Sequence, residues 1–71
     1  MTNMNCMPQI IGSKKMENGV VVFWLEGDDR KWDSFNFQEL IDMSINAANL
    51  LDRPTMYLID PVKHHLKQGT S

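Results

Sequence analysis

Val20-Val21-Val22-Phe23-Trp24-Leu25 is the segment that most limits what this chain can become. It holds six apolar residues with no polar gap, whereas a strand with one wet face alternates. An uninterrupted run implies that both faces are covered. Glu17-Asn18-Gly19 precedes it, and an Asn-Gly pair is a common two-residue hairpin turn between strands. A turn at Asn18-Gly19 sets Glu17 opposite Val20 and Lys15 opposite Val22. The period of two then divides the run into Val21, Phe23 and Leu25 on one face and Val20, Val22 and Trp24 on the other.

The first strand runs from Gln9 to Met16, and its adjacent Lys14 and Lys15 suit an exposed edge. Gly27 to Ser34 reads as a charged connection. Asn36 then begins a helix as N-cap, with Glu39 placed for a capping box and Phe35 and Leu40 for a hydrophobic staple. Phe37, Leu40, Ile41, Ser44, Ile45, Ala48 and Leu51 follow one helical face, and Pro54 ends the helix after Leu51. Thr55 to Ile59 is a third strand.

The expected class is α+β: a β-β-α-β domain over residues 9–62, with a largely antiparallel three-stranded sheet and one helix on one face. Residues 1–8 are expected to be flexible, and residues 63–71 to form a mobile basic tail.

A chain of 71 residues is close to the lower limit for folding without disulfide, metal or partner. One helix covers one sheet face, so the expectation is that Val21, Phe23 and Leu25 line its side. Val20, Val22 and Trp24 then form a partner interface joined by Trp32. Tryptophan is enriched at such surfaces because it covers large area at low entropic cost. The expected partner is a second copy, forming a homodimer, or another protein.

Chemistry is harder to place. Glu26, Asp28, Asp29 and Asp33 resemble a cation loop only loosely, since Arg30 and Lys31 interrupt them. His64 and His65 are adjacent, so their rings diverge, and Cys6 stands at the other end of the chain. No nucleophile elbow or phosphate-binding glycine loop occurs. The reading is a protein without catalysis, metal or cofactor. The net charge of -2 disfavours phosphate-driven nucleic-acid binding. The alternative is a nucleic-acid regulator whose Lys14, Lys15, Lys63 and Lys67 converge. One cysteine, no charged signal-peptide start and no apolar span place the chain in the cytoplasm, off the membrane. Short Met-rich chains of this kind are common among accessory and inhibitory proteins of bacteria and phages.

Overall fold

In the computed structural model, residues 7–69 are described. β1 (Gly12–Met16), β2 (Gly19–Glu26) and β3 (Asp29–Asn36) make an antiparallel sheet in that order. Two short helices follow, α1 (Phe37–Asp42) and α2 (Ala47–Asp52), and a 3-10 turn at Pro54–Met56. β4 (Tyr57–Asp60) and β5 (His65–Gln68) close as a second hairpin. The class is α+β with a three-stranded antiparallel sheet, as expected. Its third strand is Asp29–Asn36, not the segment near Ile59.

The turn between β1 and β2 is Glu17-Asn18, since Met16 pairs with Gly19 and Lys15 with Val20. Gly19 is therefore a strand residue. It lies so close to β3 that a Cβ there would sit 2.7 Å from Asn36 Cα and 2.9 Å from the Phe35 carbonyl carbon. Gly27-Asp28 makes the second two-residue turn, with Gly27 at φ 64° in the left-handed region that glycine enters freely.

The chain enters β1 from the other sheet. Pro8 accepts from the Ile59 amide at 2.9 Å, and Ile10 donates to Tyr57 at 2.9 Å, so residues 8–10 run beside β4. Ile11 then donates to Phe23 at 2.8 Å and joins β2. Pro8 thus belongs to the folded domain, while the rest of the expected flexible N-terminus, apart from Met7, lies outside the described residues. The expected mobile tail is corrected over residues 63–69. β5 is ordered by its ladder to β4, and Leu66 is buried in the core.

One sheet face, the helices and the second hairpin enclose the core: Ile10, Val20, Val22, Trp24, Phe35, Leu40, Ile45, Leu50, Tyr57, Ile59 and Leu66. Burying each large side chain contributes about 1.5–3 kcal/mol. Ser13 Oγ ties β1 to α2 by donating to the Leu50 carbonyl at 2.8 Å.

Asn36 caps α1 as expected. Its side chain accepts from the Glu39 amide at 2.7 Å, and Glu39 Oε1 accepts from the Asn36 amide at 2.9 Å. The single long helix does not form. Ser44 takes φ 59°, and Ile45 donates to Leu40 at 2.8 Å and Ser44 to Ile41 at 2.9 Å. These two bonds are a Schellman closure, with Ile45 folding back beside Leu40 in the core. Asn46 then caps α2 by accepting from the Asn49 amide at 3.1 Å. The break turns Leu50 inward and leaves Ile41 65% exposed, although both belong near one apolar stripe of an unbroken helix.

Both caps are therefore structural. Asn36→Ala and Asn46→Ala should each destabilise by about 1 kcal/mol, which lowers the melting temperature by roughly 4–8 °C in a domain of this size. An unchanged thermal melt for Asn46→Ala would place residues 46–52 in one continuous helix with α1.

Candidate functional site

Directly opposed residues of an antiparallel ladder share a face. The register gives Ser13 and Lys15 of β1, Val20, Val22 and Trp24 of β2, and Lys31, Asp33 and Phe35 of β3 to the inner side. Val20 and Val22 are fully buried and Trp24 is 3% exposed. The expected partner interface at these three residues is thus corrected: they are core, because α1, α2 and the second hairpin pack on that side. The expected helix-side residues, Val21, Phe23 and Leu25, lie on the other side instead.

That outer face holds the candidate site. Val21 and Phe23 are half-buried along the central strand, and Leu25 is 49% exposed. Trp32, directly opposite Phe23 on β3, is 65% exposed. Of the four expected interface residues, it alone faces solvent. Lys14 opposes Val21 from β1, and Arg30 opposes Leu25 from β3. Gly12 opposes Phe23, whose ring carbon would lie 3.9 Å from a Cβ there. Among the described strand residues no carboxylate belongs to this face: Glu26, Asp29 and Asp33 are all in register with the inner side. The outcome is an apolar strip with an exposed indole and one cation at each end.

The four lysines of the nucleic-acid alternative do not converge. Lys14 and Lys15 lie on opposite faces near the first turn. Lys63 and Lys67 border a shallow depression with Glu26 and Asp60, at the other end of β2. The six residue steps from Val20, which opposes Lys15, to Glu26 span about 20 Å of strand.

A second constellation was not legible in the sequence. His64, at φ 52° in the turn between β4 and β5, lies flat on Phe35 with ring centroids 4.0 Å apart. Its Nδ1 is 2.8 Å from Asp33 Oδ2 and its Nε2 is 3.0 Å from Glu39 Oε2. An imidazolium donates from both nitrogens and so satisfies both carboxylates at once. Burial of the ring opposes the charge. The Asp33 hydrogen bond, the charges of Asp33 and Glu39 and the Glu39 hydrogen bond outweigh it, raising the His64 pKa above 6.5.

Because Glu39 also closes the α1 capping box, one carboxylate joins the helix start to the second hairpin. The acidic residues thus divide by role, with Asp33 binding His64 and Asp60 accepting from the Val62 and Lys63 amides at 3.2 Å. Asp60 and His64, at helical spacing in the sequence, are not partners. His65 is exposed. Among the described residues no cluster of His, Cys, Asp and Glu has the arrangement of a metal site. Ser34, which follows Asp33, is in register with the opposite sheet face.

The His64 clamp has a pH signature. Below about pH 6.5 the folded and unfolded chains both carry the proton, and the paired imidazolium contributes its full stability. As pH rises through the raised folded value, that contribution is lost. The wild-type melting temperature should therefore fall, relative to that of His64→Asn, as pH rises above about 6.5 and through the raised folded value. The clamp assignment fails if the two proteins follow parallel curves.

Among the described residues no helix is long and apolar enough to cross a membrane. No protein-family model, curated protein or solved structure matches the chain.

Proposed function

We propose that this is a non-enzymatic accessory or regulatory protein that acts by docking another protein on the outer face of its three-stranded sheet. The exposure of Trp32 beside Phe23 carries this reading. A large indole left in water beside an apolar strip forfeits burial energy that a partner can recover. The lone cysteine supports a cytoplasmic setting.

Self-association is the competing occupant. Stacking two copies face to face brings two Lys14 and two Arg30 side chains to one interface, with no carboxylate on either face to offset them. A different protein fits the charge better. Inhibition of a partner by occupying its surface is one form that such docking takes.

Affinity capture from cell extract, comparing wild type with a Leu25→Glu/Trp32→Glu variant, tests the reading. The expected result is a co-purifying protein lost in the variant, whose far-ultraviolet circular dichroism is unchanged. Identical captures from the two proteins would overturn it.

A further inference from the structure

We propose that the outer sheet face takes an amphipathic helix of a partner protein, with an apolar stripe flanked by carboxylates about 11 residues apart. This inference rests on the docking reading above and names the chemistry of the partner.

The dimensions come from the ladder. Lys14 sits on β1 at the level of Val21, and Arg30 on β3 at the level of Leu25, with Phe23 midway on the central strand. Four residues along the strands and two strand spacings across put the cations at opposite ends of a diagonal of about 17 Å. A helix rising 1.5 Å per residue covers that length in about 11 residues, which is close to three full turns. Carboxylates at both ends of such a stretch therefore leave on the same side of the helix. Between them, an apolar stripe meets Phe23, with Trp32 and Val21 to one side and Leu25 to the other. Neither Lys14 nor Arg30 forms an ion pair among the described residues, so both cations are free to pair.

The face also suits a helix by width. Three strands span about 14 Å, wide enough to seat one helix of about 10 Å. The opposite face already carries α1 and α2, so a docked helix completes a three-layer arrangement. Addition of a strand is disfavoured, because both edges carry charge: Lys14 and Lys15 on β1, and Asp29, Arg30, Lys31 and Asp33 on β3.

Single-stranded nucleic acid fits less well. Val21 and Leu25 offer no flat ring for a base, and the net charge of -2 repels a polyanion at long range. The chain's own first six residues carry no carboxylate to meet Lys14 and Arg30.

The test uses the full chain and a synthetic amphipathic peptide of about 18 residues. It has a leucine stripe and two glutamates about 11 positions apart, and a twin carries lysine at those two positions. Trp32 reports binding by a blue shift in emission, while buried Trp24 supplies a constant background. The acidic peptide should bind at least about tenfold more tightly than its twin. In a Lys14→Glu/Arg30→Glu variant the preference should reverse, and in Lys63→Glu it should not change.

Equal binding of the two peptides, or failure of both, overturns the proposal. So does tighter binding of an oligothymidylate, or a dimer by sedimentation equilibrium in which Trp32 is shielded. If both peptides fail while capture still depends on Leu25 and Trp32, the helix is wrong and the docking reading stands. Loss of that dependence removes both.

Discussion

Val22→Lys is expected to abolish cooperative folding, whereas Val21→Lys is expected to fold and melt within about 1 kcal/mol of wild type. The two residues are neighbours of the same type, so propensity and unfolded-state effects nearly cancel. They differ in the face they enter. Val22 is fully buried among the core side chains, while Val21 is half-buried beside Lys14 on the outer face. A lysine at Val22 must bury its ammonium without a partner or push the helices off the sheet. An unpaired buried charge costs on the order of 3–5 kcal/mol, comparable to the whole stability of a domain this small. Urea titration followed by circular dichroism measures both variants. A Val22→Lys protein as stable as Val21→Lys would mean that Val22 does not face the core.

Gly19→Val should cost about 3 kcal/mol or more, at the upper end for forced overpacking, and lower the melting temperature by more than about 10 °C. The reason is not the turn. Gly19 has no positive φ, and the residues of the turn are Glu17 and Asn18. Gly19 is buried against the backbone of Phe35 and Asn36 where β3 ends and α1 begins. The Phe37 amide donates to Asn18 across the same gap at 3.1 Å. A side chain at Gly19 meets main chain that cannot rotate away, so β2 and β3 must part at the point where Asn36 caps the helix. The same collision starts with a single Cβ, so Gly19→Ala should show a large share of the loss. If Gly19→Ala melts like wild type, the strands are not this close.

The start of α1 was legible because it is local. Asn36 and Glu39 carry the cap and box, with Phe35 and Leu40 on either side of them in the core, and the structure places the N-cap at Asn36. The helix end was not legible. Ile41, Ser44, Ala48 and Leu51 continue a helical stripe, and only the return of Ile45 beside Leu40 shows why the chain turns at Ser44. Asn46, an interior residue of the expected helix, instead caps α2. β3 was missed because it is an edge strand with one fully buried side chain, Phe35, so its sequence lacks apolar alternation. Its signal was the Gly27-Asp28 turn rather than the strand itself. The His64 clamp joins positions 31 and 25 residues apart, and no spacing rule reaches that far.

For the candidate site, the period of two sorted β2 correctly into Val20, Val22 and Trp24 against Val21, Phe23 and Leu25, while Trp32 was grouped with the first set although it stands on the face of the second. The period did not say which set is inside. Once β3 is in place, the choice lies between Val20, Val22, Trp24 and Phe35 on one side and Val21, Phe23, Leu25 and Trp32 on the other, four apolar residues each. Alternation along a strand is symmetric between these options, because burying either set removes similar apolar area from water. The sequence by itself therefore determined the strand, its two faces and the helix start. The tertiary structure decided which face is core, because α1 leaves β3 at Asn36 toward the Phe35 side, and residues 8–10 and the second hairpin close over that same side.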